Sequence, residues 1–429
     1  MTGENESRLQ SPTKVPRLSL AALAPGLLLA ATGVGAGDLA TGAMAGSKLG
    51  TTVLWAVVVA AVLKYFVNEG LARWQLATGS TMLEGLAQRV GKITIWLFMP
   101  YLLFWSFFVA VALMGACGAA MNAMLPWPGD DPQKSAQIGR VVYGVLHSLV
   151  AVALIRVGGF VWFERVMSLL VGLMFCIVIG TALAIGPEWS EVLRGLVWPT
   201  IPHADGDGLS WTLALVGGIG GTVTILCYSY WMREDGREGK AWLATCRADL
   251  ASGYGVTAAF GIAMVIIGSE FLSLEGDVSK GTRFLAGLGK EIESRLGAIG
   301  WYCRWGFLLG AWSAVFTSML GVWQSVPKIF GECHGLLRPE SRDSAWGEWI
   351  YGLLLASVPA VGLFVDFTSM QKTYSVVGAM FVPLAAAVLL YMNRRADWVG
   401  TLRSSLVTQV ILALALLAFF VAGVYEAIS

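Results

Sequence analysis

Charge is scarce in this chain. Only 13% of its 429 residues are Asp, Glu, Lys or Arg, against a hydrophobic share of 56%. That balance excludes an ordinary soluble domain of this size. The net charge of +1 leaves no basic surface for nucleic acid and no polybasic lipid anchor. Histidine is scarcer still, and His147, His203 and His334 lie far apart. The six cysteines (Cys117, Cys176, Cys227, Cys246, Cys303, Cys333) have neither CxxC nor Cys/His metal spacing and form no disulfide framework. A zinc enzyme therefore has no ligand set here. No nucleophile–base pair appears either, so an embedded enzyme has little support and no cofactor is expected.

What the chain does have is long apolar runs. About eleven are long enough to cross a bilayer, at 19–45, 51–72, 93–122, 138–155, 160–185, 209–231, 246–272, 299–326, 348–365, 372–391 and 402–427. The connections between them alternate in charge. Those after even-numbered spans carry Arg73, Arg89 and Lys92, then Arg156 and Arg165, then Arg233, Arg237 and Lys240, then Lys328, Arg338 and Arg342, and last Arg394, Arg395 and Arg403. The longer connections after odd-numbered spans are acidic or mixed, with Asp130, Asp131, Glu188, Glu191, Asp205, Asp207, Glu275 and Asp277. The positive-inside rule then expects a cytoplasmic N-terminus and, after eleven spans, an external C-terminus. Residues 1–18 read as a cytoplasmic tail without a signal-peptide cleavage pattern.

Two spans are unsuited to face lipid. Span 1 is interrupted by Thr32-Gly33-Val34-Gly35-Ala36-Gly37-Asp38, and span 6 by Leu215-Val-Gly-Gly-Ile-Gly-Gly-Thr-Val-Thr224. Glycines weaken a helix, and a carboxylate at mid-membrane depth costs at least a few kcal/mol unless it is solvated or liganded. These glycines either permit close helix packing or mark unwound backbone that lines a cavity. The acid beside the first run and the five-span separation of the two favour the second reading. An inverted repeat follows, with 19–185 as the first five helices, 209–391 as the second and 402–427 as an additional helix.

The residues around the first break resemble the Nramp family of divalent-metal transporters. Pro25-Gly26, Gly35-Ala-Gly-Asp38-Leu-Ala-Thr41 and Ala45-Gly46-Ser47-Lys-Leu-Gly50 follow that family's first-span pattern, and Leu54-Trp55 and Ala77-Thr78-Gly79 also fit. The resemblance implies an all-α integral membrane protein of the LeuT-like type, with helices 1 and 6 broken. It also implies a secondary transporter in a bacterial-type plasma membrane, with membrane lipid and a small ion as partners and no obligate protein partner. The family hallmark Asp-Pro-Gly-Asn falls on Gly35, Ala36, Gly37 and Asp38. Its metal-binding Asp is thus Gly35 here, and Asp38 stands where it has Asn. Its span-6 Met is replaced by Thr224 and its span-6 His by Leu226.

Losing the thioether removes the ligand that favours soft metals. Asp38, Thr224 and the carbonyls freed near Gly35, Gly37 and Gly221 make an all-oxygen set suited to a partly hydrated hard cation such as Mg²⁺ or Mn²⁺. Asp38 alternatively caps the second half of helix 1, and Thr224 alternatively bonds within its own helix. Gln371 lies within one register of a family position facing the substrate, and Met370 fits that position equally well. Lys64, Glu69 and Arg73 recur along span 2, where either Glu69 and Arg73 form a salt bridge near the cytoplasmic surface with Lys64 pairing elsewhere, or the three form a proton-coupling relay. The rival reading is a transporter of a small organic solute such as an amino acid, since half-helix N-termini bind carboxylates.

Overall fold

The computed structural model describes residues 24–204, 206–270, 283–341 and 346–428. The expected tail at 1–18 and part of the connection after span 7 lie outside the described residues. Every described element is helical. In order they are α1 (Ala24–Gly33), α2 (Gly42–Leu49), α3 (Leu54–Thr78), α4 (Met82–Arg89), α5 (Ile93–Met124), α6 (Pro132–Ile185), α7 (Trp189–Val197), α8 (Gly208–Gly218) and α9 (Cys227–Glu234). There follow α10 (Leu243–Ser269), α11 (Phe284–Arg295), α12 (Gly300–Leu337), α13 (Trp346–Ser357), α14 (Phe367–Ala379), α15 (Phe381–Asn393), α16 (Ala396–Val399) and α17 (Leu406–Ile428). In hydrocarbon a segment must satisfy its own backbone, and a helix is the way a single apolar run does so.

Two expected boundaries move. Spans 4 and 5 are one continuous helix, α6, and the connection between them is helical. Gly158-Gly159 without a proline is too weak a breaker to open a loop there. At 54 residues α6 would reach about 80 Å if straight, against about 30 Å of hydrocarbon. It accordingly carries two apolar windows, Pro132–Val157 and Arg165–Ile185. Spans 1 and 2 are likewise joined by a single 3₁₀ turn, Gly50–Val53. Among the described residues, nine segments are long and apolar enough to cross a membrane.

The bundle is sorted by side-chain size. Leu97, Phe104, Leu169 and Leu414 stand exposed on outer faces, as lipid-facing residues do. Inside, glycine lets backbones touch. Gly253 of α10 packs on Gly26, Gly268 packs on Ala43, and Gly144 of α6 packs on Met114 of α5. The α8–α9 segment is the most enclosed, with 83% of its membrane window buried. It sits beside α14 and α3, while α1 packs against α10 and α12. Both interrupted helices therefore lie at the centre.

Candidate functional site

The two interruptions open differently. In the first, α1 ends at Gly33, residues 34–35 bend, and the chain re-enters through a π-helical turn, Gly37–Thr41, before α2. In the second, α8 ends at Gly218 and residues 219–222 leave the helix, with Gly220 at φ +76° and Gly221 at φ +80°. Only glycine adopts such angles without strain. A 3₁₀ turn, Val223–Leu226, then leads into α9.

Close glycine contacts bring the breaks together. Gly33 faces Gly220 and Gly221, and a Cβ on Gly37 would sit 2.5 Å from the carbonyl oxygen of Gly218. Asp38 locks this meeting point. It is wholly buried, with one carboxylate oxygen accepting from the N–H of Gly35 at 3.3 Å and the other from the N–H of Gly220 at 3.2 Å. The cap expected on the second half of helix 1 is therefore a different device. One donor lies three residues upstream, and the other belongs to helix 6. The carboxylate clamps the two breaks to each other.

Lys64, which the sequence left either in a relay with Glu69 or pairing elsewhere, points into the second break. Its buried ammonium donates to the carbonyl of Gly217 at 2.9 Å and to that of Ile219. The Ile219 carbonyl and the Gly220 N–H belong to one peptide group. That peptide is thus held at its N–H by the Asp38 carboxylate and at its carbonyl by the Lys64 ammonium. Asp38 and Lys64 feel each other's charge across it without forming a direct ion pair.

The other candidates separate. Thr224 is buried, and its hydroxyl accepts from the Thr222 N–H at 3.2 Å, folding back on its own break. Gln371 is buried but turns to span 3, donating to the Ala112 carbonyl at 2.9 Å, and its amide oxygen has no partner. One turn further along α14, Ser375 meets the Thr41 hydroxyl at 3.0 Å, so this turn faces the site more closely than Gln371 or the half-buried Met370. Glu69 and Arg73 pair at 2.7 Å. Glu69 also accepts from Arg247, while Arg73 donates to the carbonyls of Leu402 and Arg403. Their bonds join α3, α10 and the segment before α17.

Gly35 holds a further surprise. A Cβ there would lie 2.6 Å from the Ser318 Cβ and closer still to its hydroxyl, which donates to the Thr32 carbonyl at 2.6 Å. Ser318 of α12 occupies the space that an acid at position 35 would need.

Several residues escaped sequence reasoning. Trp105 donates to the Thr222 hydroxyl at 2.8 Å. Asp249 accepts from the Gly26 N–H at 2.7 Å, from Tyr228 at 2.9 Å and from the buried Arg237 at 2.8 Å, tying α1, α9 and α10 together at the end that carries the basic loops. The signal for that network was an acid, Asp249, inside an apolar span. Glu332 adds a second tie at the same end, accepting from Thr81 at 2.6 Å and from Tyr230. Among the described residues no three His, Cys, Asp or Glu side chains converge on a possible metal. An ion at Asp38 would have one carboxylate and otherwise neutral oxygens, a donor set suited to a hydrated hard cation.

An all-helical bundle with two central helices broken face to face defines a broken-helix, inverted-repeat membrane protein. The family model described as "Natural resistance-associated macrophage protein-like" (Nramp) matches residues 26–429, and the chain belongs to that family. It is 29% identical over 209 residues to the divalent metal cation transporter MntH of Chromohalobacter salexigens, covering 47% of this chain and 44% of that protein. It is 28% identical over 190 residues to the protein of the same name from Acidiphilium cryptum, covering 44% and 40%. Less than half the length of either relative is matched. Among solved structures it is similar to a variant of the Eremococcus coleocola manganese transporter, with a TM-score of 0.70 at 14% identity over 98% of this chain and 90% of that one. It is also similar to MhsT in complex with L-phenylalanine, with a TM-score of 0.63 at 15% identity over 93% and 97%. At these identities the likeness is one of fold.

Proposed function

We propose that this chain is a secondary transporter that moves a divalent cation, Mg²⁺ or Mn²⁺ before softer ions, by alternating access. The observation that carries this reading is Asp38, a wholly buried carboxylate at the meeting point of two broken helices. Such an acid is costly in a membrane interior and is retained where charge is handled. The absence of a thioether at Thr224 supports a harder ion. The names of the MntH relatives agree with the substrate class.

The test is uptake of Mn²⁺ and Mg²⁺ into proteoliposomes by the parent chain and by Asp38→Asn. The parent is expected to accumulate ion and the variant to lose uptake while remaining folded and monodisperse. Uptake by the Asn variant equal to the parent's would end the charge-dependent model. The organic-solute reading draws on Lys64, whose ammonium offsets Asp38 and makes room for a zwitterion. It takes over if the same vesicles accumulate an amino acid and no divalent ion.

The chain's orientation follows from its loops. The end bearing Arg73, Arg233 and Arg394 belongs in the cytoplasm. A cysteine at the exposed Glu238 should resist an impermeant thiol reagent in right-side-out vesicles, and external labelling there would reverse the orientation.

A further inference from the structure

The structure assigns Lys64 the role of a built-in counter-cation that fills the carbonyl end of the second break and balances Asp38 whenever no cargo cation is bound. The inference rests on the reading of Asp38 as the cation site and adds what the site does when empty. When no cargo is bound, a carboxylate buried at the meeting point of the two breaks carries a desolvation cost unless another group compensates it. Lys64 is where compensation is available. The residue is 1% exposed, and two of the three ammonium donors are spent on the carbonyls of Gly217 and Ile219, at the end of α8.

The arrangement is indirect for a geometric reason. Because the 219–220 peptide lies between the charges, Asp38 keeps acceptor capacity that a direct ion pair would consume. A cation arriving at Asp38 meets the carboxylate and is at the same time repelled by Lys64 across one peptide. Cargo binding and the seating of Lys64 on the carbonyls are therefore antagonistic, and the loss of one favours the other. A lysine serving only as a cap on α8 predicts none of this. Its contribution would be indifferent to the charge at position 38 and to added ions.

The experiment is a thermal-stability and binding cycle on the full chain in detergent, using Lys64→Met, Asp38→Asn and the double variant, with Mn²⁺, Mg²⁺ and n-propylammonium as probes. Without added ions Lys64→Met is expected to melt below the parent, and adding Asp38→Asn to it should recover part of the loss. Lys64→Met should bind the divalent ion about tenfold more tightly than the parent, because a like charge has been removed. In Lys64→Ala, which lacks the propylammonium portion of the side chain, n-propylammonium should raise Tm by roughly 2–4 °C, while tetramethylammonium, without N–H donors, should not. If Lys64→Met proves too unstable to purify, the double variant, which removes both charges, is expected to survive.

A double variant no more stable than Lys64→Met, or unchanged divalent affinity in Lys64→Met beside a parent that binds the ion, overturns the proposal. The two readings fail separately. Rescue by n-propylammonium with no divalent binding by any form keeps the counter-cation and removes the metal. Divalent binding that ignores Lys64 does the reverse.

Discussion

The two broken helices share one acid, Asp38, but differ in how their spare carbonyls are met. Each break leaves backbone groups without helical partners deep in the membrane. At the first, the chain supplies its own remedy. Asp38, just past the bend, reaches back to the Gly35 N–H and needs no left-handed residue to do so. At the second, Gly220 and Gly221 take left-handed angles, the carbonyls of Gly217 and Ile219 are left over, and the remedy comes from another helix as Lys64. Asp38 accepts from an N–H at each break, Gly35 in the first and Gly220 in the second, while spare carbonyls are met from other helices, by Ser318 at Thr32 and by Lys64 at Gly217 and Ile219. The lesson is that the charges at the centre of this protein are placed first by backbone chemistry, and that any substrate must work with groups already engaged.

The contrast can be broken most severely where the two breaks touch. Gly37→Val would drive a side chain into the Gly218 backbone, whose carbonyl oxygen, Cα and carbonyl carbon lie 2.5, 2.8 and 2.9 Å from a Cβ there. Backbone on backbone cannot yield as a side chain can, so the cost should reach about 3 kcal/mol or more. Size-exclusion chromatography should show loss of monodisperse protein, whereas a folded, stable Gly37→Val would mean the breaks are not held in contact.

A milder change sharpens the comparison by probing the first break alone. Gly35→Ala should cost about 1–3 kcal/mol through overlap with Ser318, a side chain that can move. Ser318→Gly should recover much of that loss, a coupling visible as non-additive Tm shifts. Strict additivity would show that Ser318 is not what excludes a larger residue. The same pair bears on function, since an acid at position 35 calls for space at position 318 as well.

Much of the fold was legible in the sequence because hydropathy and glycine act locally. The apolar runs marked where the long helices lie, although nine segments rather than eleven are long and apolar enough to cross a membrane among the described residues, and the glycine clusters marked both breaks at the residues where the helices end. At α6 one expected span ends at 155 and the next begins at 160, whereas helical bonding runs through the connection. The site was less legible. Asp38 stood out as an acid in an apolar run, whereas Lys64 was open to a relay with Glu69 and Arg73 or to a partner elsewhere that the sequence did not name. The structure sends Glu69 and Arg73 to α10 and the segment before α17, and Lys64 to α8. Periodicity reports which residues share a helix and says little about which neighbour a long, flexible side chain will choose.

By itself the sequence determined that this is a membrane protein and that its first and sixth spans are interrupted. Those follow from composition and local propensity, which no partner segment can alter. Only the tertiary structure decided that Asp38 bridges the breaks, that Lys64 faces it across one peptide, and that Ser318 fills the space at Gly35. Each of those contacts joins residues far apart in the chain, and each is set by how closely glycine lets two backbones approach. That approach is a property of the packed bundle, because a helix alone has no second backbone to meet.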